Sequence, residues 1–233
     1  MLFARKHLVF LLMVIFTITL LVYSAVSFAQ MGAMRGPSIA GLFHPKVGAG
    51  AAYEVTDPKG QKSEMEISVV GQENVGGTPA YWLEMSFTGG PSTGSVMKYL
   101  MATQGEEVHV YRMIMKSPQM RAMEMPEAMM SRINEGVTKG LSTSERSMGK
   151  NLGTEVVMTK VGPKRCTHWQ SVSESGTSDS WVNMDVYPNA MVKSISKTAD
   201  GTHTTELIRT ITDARTKITE EPQKMNLPKM PPR

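Results

Sequence analysis

Apolar and polar residues alternate along most of this chain, and a period of two admits extended strands with one face buried far better than helices. In AAYEVTDPKGQKSEMEISVVGQE, Tyr53 and Val55 alternate with Glu54 and Thr56, Asp57-Pro58-Lys59-Gly60 supplies a turn, and Met65, Ile67 and Val69 alternate with Glu64, Glu66 and Ser68. This is a hairpin with one apolar and one wet face. TPAYWLEMSF and SVMKYLMA read as the next two strands around the glycine-rich loop 89–95, and EEVHVYRMIMK as a fifth that is apolar on both faces and needs cover on both. The second half repeats the pattern in TEVVMTKVG, KRCTHWQSVS, SDSWVNMDV, AMVKSISKTAD and THTTELIRTITDAR, with Asp200-Gly201 as the strongest two-residue hairpin signal. The pattern predicts about nine or ten strands in a mainly β, antiparallel meander with one helical interruption.

The interruption falls near residues 117–140. Ser117 can cap a helix with Pro118 at its first position, and Pro126 with Glu127 offers a second start, so two short helices are expected. Met129, Met130, Ile133 and Val137 share one helical face, which would cover the fifth strand.

The chain opens with Arg5 and Lys6, an uncharged run from Leu8 to Val22, and small residues at Ser27 and Ala29. That layout predicts a signal peptide over 1–29, with Gln30 as the mature N-terminus and a periplasmic or secreted destination. Any membrane attachment would come only through an uncleaved signal, because no cysteine follows the apolar run to carry a lipid. Residues 30–46 read as an irregular lead-in, 47–220 as the β domain, and 221–233 as a proline-rich tail that does not pair. The formal charge of +4, spread over interspersed basic and acidic residues, argues against a nucleic-acid partner. One cysteine, Cys166, leaves no intramolecular disulfide framework, so the core must hold by packing.

Catalytic motifs are absent or weak. Gly90-Pro91-Ser92-Thr93-Gly94 matches the letters of a nucleophile elbow, but that elbow joins a strand to a helix in a parallel α/β sheet, and the pattern here predicts a hairpin loop. Cys166 and His168 share a face of a predicted strand without a third ligand nearby in sequence. Glycines 71, 76 and 77 lack the spacing of a phosphate loop or dinucleotide fingerprint. The chain therefore reads as a non-enzyme with no cofactor.

Methionine is the anomaly: 21 in the chain, seven of them between Met113 and Met130. Unbranched and polarizable, methionine repacks around variable apolar partners, which suits a groove for flexible chains. Thioether sulfur is also a soft donor that favours Cu(I), with Met113, Met115, Met120 and Met123 as the expected set and His109 on the Met113 side. Ordinary core packing uses the same residues.

The hairpin YEVTDPKGQKSEMEISVVGQE, the AYWLEM strand, the helical interruption and then VGPKRCTHWQS…DSWVNMDVYPNAMVKSIS resemble exported bacterial proteins related to the lipoprotein-carrier superfamily. The resemblance spans most of residues 47–220 and implies a strongly curved antiparallel sheet forming an incomplete barrel, with a short helical lid plugging its concave face and acyl chains held there. It implies a functional arginine as well, for which Arg112 is the candidate by its place on the two-faced strand. The sequence thus predicts a protein that binds a lipid-like or hydrophobic ligand along Tyr99, Met101, Val110, Arg112, Met113, Met115, Met120, Met123, Met129 and Met130. The alternatives are a Met-rich Cu(I)-binding protein and an envelope scaffold that meets a protein partner.

Overall fold

The structure is a computed structural model and describes residues 41–138 and 141–225. The signal-peptide segment, most of the lead-in and the end of the tail lie outside the described residues. The elements run β1 (Gly41–Leu42), β2 (Gly50–Thr56), β3 (Lys62–Val75), β4 (Thr78–Thr88), β5 (Val96–Gln104), β6 (Glu107–Ser117), β7 (Met120–Glu124), helix α1 (Glu127–Thr138), β8 (Leu141–Ser142), a 3-10 turn at Glu145–Met148, β9 (Lys150–Thr159), β10 (Gly162–Ser173), β11 (Gly176–Val182), β12 (Met191–Thr198), β13 (Gly201–Ile211) and β14 (Gln223–Lys224). Twelve strands form one curved, open sheet in the order β14-β7-β6-β5-β4-β3-β2-β13-β12-β11-β10-β9.

Two antiparallel meanders make this sheet, β2 to β7 and β9 to β13, and they join where β2 pairs with β13 through Leu207↔Tyr53 and Glu206↔Glu54. Tyr53 is fully buried at this seam, its hydroxyl 2.9 Å from Asn189 Oδ1 and 3.0 Å from Met191 O. The predicted first hairpin is present: Asp57 Oδ1 accepts hydrogen bonds from the Lys59 and Gln61 backbone N–H groups and closes its turn. The Asp200-Gly201 hairpin is also present, although its two loop residues are Ala199 and Asp200, because Thr198 pairs with Gly201. The main core collects Tyr53, Ile67, Val69, Leu83, Met85, Tyr99, Met101, Val110, Met113, Val192 and Leu207, with Met130 of α1 packed into it.

Three boundaries differ from those predicted. Residues 117–124 do not form the first of two helices: Ser117 pairs with Met120 and Met115 with Met123, so β6 and β7 make a hairpin and only α1 is helical. Pro118 serves the turn rather than a helix start, and pairing with β6 overrides the helix-forming Met, Arg, Ala and Glu of this segment. The lead-in is not irregular to residue 46, since β1 pairs with β8 and both Leu42 and Phe43 are buried. Gly41 fits there because it takes φ +120 and a Cβ would stand 2.2 Å from the Asn189 carbonyl oxygen.

The third correction concerns the tail. Residues 212–225 run along the outer face of the sheet, and Gln223 and Lys224 pair with Met123 and Glu124 instead of hanging free. Ile218 is buried against Val96, Ile114 and Ala122. Glu220 accepts from the Ala122 backbone N–H at 2.9 Å and faces Lys116 at 3.3 Å, and these two contacts hold its carboxyl below the usual carboxylate range.

Candidate binding site

The inner face of β4 to β7 is built from the residues that the alternation marked as apolar. Tyr99 stands opposite Met113, Met101 opposite Val110, and Met97 opposite Met115. Met101 and Val110 are fully buried, and Tyr99 and Met113 nearly so. Burial pushes the Tyr99 hydroxyl up to about 12. The predicted groove is therefore a packed interior, covered by α1 through Met130, Ile133 and Val137.

A side chain holds this cover to the sheet. β7 pairs only with Ile114 to Ser117, so the earlier part of β6 has no strand on that side. There Asn134 of α1 acts as a strand would: its Oδ1 accepts from Val110 N–H at 2.6 Å and its Nδ2 donates to Val110 O at 3.0 Å. Both polar backbone groups at the bare edge are satisfied from one residue of the helix.

Not all of the predicted residues converge. A bulge between Leu100 and Met101 leaves Tyr111 unpaired, so Leu100 faces Arg112 while Met101 faces Val110. The bulge reverses the alternation, so His109 lies on the outer face rather than on the Met113 side, and Arg112, next to Met113, lies on the outer face as strict alternation requires. His109 sits opposite Ala102 and edge-on to Tyr111, 4.8 Å between centroids. Arg112 stacks over Trp82 at 5.2 Å and donates through Nε to Glu124 at 2.7 Å, so it is part of an outer-face ion pair and not of the lined interior. Met120 is 37 % exposed at the β6–β7 turn and leaves the cluster. Met123 and Met129 are half-buried at the margin. Met97 and Met125, which the predicted set omitted, join the core, and their signal was the same period of two.

The open space lies at the other end of the sheet. A cleft of about 230 Å³ runs between β9 and the β12–β13 pair, lined by Val157, Met158, Lys160, Val192, Lys193, Glu206 and Leu207. Its floor, Val192 and Leu207, belongs to the main core, while Met158 at its rim is 75 % exposed. Two ion pairs flank it: Lys160 with Glu54 at 3.1 Å and Lys193 with Glu206 at 2.6 Å. The Glu54 carboxyl is held below its ordinary range by Lys62 and Lys160.

Cys166 is buried in the core strand β10, and His168 on the same strand stacks on Trp181 with its two ring nitrogens each 3.1 Å from a carboxylate oxygen, of Glu155 and Asp179. Burial, aided by Glu155, pushes the Cys166 thiol up to about 11. Iodoacetamide at pH 8 should therefore leave folded protein unlabelled and label it on unfolding; rapid labelling of the folded chain would show that the thiol is accessible. The Gly90–Gly94 segment is a loop joining antiparallel strands, with Thr93 N donating to Gly90 O, and no helix follows it.

No protein-family model matches this chain, and no curated protein matches it. Among solved structures it is similar to a Bacteroides fragilis protein described as exported, with a YmcC-like fold, at 12% identity and TM-score 0.37, over 73% of this chain and 99% of that one. A protein described as a lipoprotein from Parabacteroides distasonis gives the same values. A domain described as an outer membrane lipoprotein-sorting protein from Vibrio parahaemolyticus matches at 12% identity and TM-score 0.30, over 84% of this chain and 93% of that domain. Among the described residues, no helix is long and apolar enough to cross a membrane.

Proposed function

We propose that this chain is a periplasmic or secreted, non-enzymatic carrier of a lipid-like or hydrophobic ligand, which enters through the cleft between β9 and β12–β13. The observation that carries this reading is the continuity between that cleft and the core: its floor residues Val192 and Leu207 are core residues, and its rim carries Met158 exposed to water. Exposed apolar side chains around a concave, core-connected opening are the usual mark of a hydrophobic ligand site. The volume is small for a whole lipid, since ligand pockets run from roughly 300 to 1,000 Å³. The core behind Val192 and Leu207, Met191 among it, supplies the remainder by repacking, because thioether side chains change rotamer at little cost. Polar ends of the ligand would lie among Lys160, Glu54, Lys193 and Glu206 at the mouth.

Uptake of a fluorescent fatty acid tests the reading. Met158 is on the rim and mostly in water, so Met158→Asp should leave thermal stability unchanged while weakening uptake, and Val157→Asp should abolish it. Wild-type protein that takes up no probe, or both variants binding as the wild type does, would refute the carrier reading.

A further inference from the structure

Four methionines stand directly opposite one another across four consecutive strands. Met85 of β4 pairs with Met97 of β5, Met97 with Met115 of β6, and Met115 with Met123 of β7. Side chains at directly opposed positions share a face, with Cβ atoms about 4.5–5.5 Å apart. Each sulfur swings on two rotatable bonds, Cα–Cβ and Cβ–Cγ, so sulfurs from neighbouring strands can reach a common centre. Met85 is fully buried, whereas Met97, Met115 and Met123 are half-buried, so the row runs from the core out toward the β7 end of the sheet.

Packing alone does not call for this row. Central strand positions favour β-branched and aromatic residues, and the neighbouring rung on the same face carries Leu83, Tyr99 and Met113, one thioether among three residues. One sulfur in the row already meets a polar group: the Tyr99 hydroxyl lies 3.3 Å from Met97 Sδ, which places a sulfur lone pair toward a positive hydrogen. The harder donors and charges of this region are on the opposite face. His109 was placed there by the bulge, Arg112 lies there as the neighbour of Met113, and Glu124 is paired with Arg112. Among the described residues, no group of three His, Cys, Asp or Glu side chains could hold a metal. A site of thioethers alone selects soft, monovalent ions and disfavours Zn²⁺, Cu²⁺ and Mg²⁺.

We propose that Met97, Met115 and Met123, with Met85 behind them, form a thioether site for a soft monovalent cation of the Cu(I) class. This donor set differs from the one expected from spacing. His109 is on the wrong face, Met120 is at the turn, and Met113 belongs to the next rung. The site is separate from the β9 cleft, so the inference stands whether or not that cleft binds a lipid.

The test is anaerobic titration of the full chain with Cu(I) in competition with bicinchoninate. Wild-type protein should retain one Cu(I) per chain, and X-ray absorption of the complex should give a first shell of sulfur. Leucine keeps the apolar bulk and removes the donor. The triple variant Met97→Leu, Met115→Leu, Met123→Leu should fold and lose at least about tenfold in Cu(I) affinity, the loss typical even of an outer partner to a ligand. A control at Met101→Leu and Met130→Leu, both buried and off the row, should keep wild-type affinity. If wild-type protein surrenders Cu(I) as completely as the triple variant does, or if nitrogen and oxygen fill the first shell, the site does not exist. Uptake of the fatty-acid probe by the triple variant keeps the two readings apart.

Discussion

Glu84→Ala should lower the stability of the protein by about 3 kcal/mol, read as a drop in the urea midpoint, and should free the segment after β13 to proteolysis. Glu84 is one of the few charged residues buried in this fold, at 4 % exposure. Its two oxygens are both used: Oε1 accepts from the Lys217 backbone N–H at 2.8 Å and Oε2 from the Thr216 hydroxyl at 2.6 Å. Burial pushes the amine of Lys98, half-buried beside it, below the ordinary lysine range, and the Glu84 charge offsets part of that shift. Truncation leaves a backbone donor and a hydroxyl without their acceptor in a place that water reaches poorly, which is the costly kind of loss. Glu84→Gln keeps one oxygen acceptor and should lose less. An unchanged midpoint together with unchanged proteolysis between residues 212 and 222 would show that the strap is held by Ile218 and the β14 pairing alone.

Asn134→Ala should cost about 2 kcal/mol, because it strips partners from both the N–H and the C=O of Val110. The consequence for function follows from where Asn134 sits. It ties α1 to the bare edge of β6, beside the apolar packing of Met130, Ile133 and Val137. Apolar packing tolerates sliding and repacking, whereas a two-point hydrogen bond fixes register. Hydrogen exchange at the Val110 amide should accelerate in the variant, while uptake of the fatty-acid probe through the β9 cleft should stay at the wild-type rate. Faster uptake would mean that the ligand enters beneath α1 instead.

Much of this architecture was legible in the chain because a period of two leaves little choice. The hairpin through Asp57 and Gly60, the buried face of Ile67 and Val69, and the two-sided β6 all follow from side chains alternating across a pleat. The features that failed to show are those decided by a partner strand. The segment from Met120 to Glu124 has the composition of a helix, and it is a strand because β6 on one side and Gln223-Lys224 on the other offer it hydrogen bonds. The bulge at Tyr111 carries no glycine or proline to announce it, yet it moves His109 to the outer face and so changes the candidate site. Asn134 looked like one more polar residue on a helix, because its partner is a backbone 24 positions away. The methionine row was hidden for the same reason: its four members are scattered between 85 and 123, and only the register sets them side by side.

The pairing of β2 with β13 has a consequence in time. Each of the two meanders can zip up from neighbouring hairpins, but their junction brings together segments separated by roughly 150 residues, the kind of contact that makes folding slow. A chain delivered from its N-terminus onward presents β2 early, with β3 soon beside it and its other flank bare until residue 211 arrives. During that interval the bare flank is a template for any passing strand, including that of another copy. Delivery rate and chaperone cover thus bear on yield more than any single core contact does, and shortening the chain ahead of Ile211 exposes the same flank permanently.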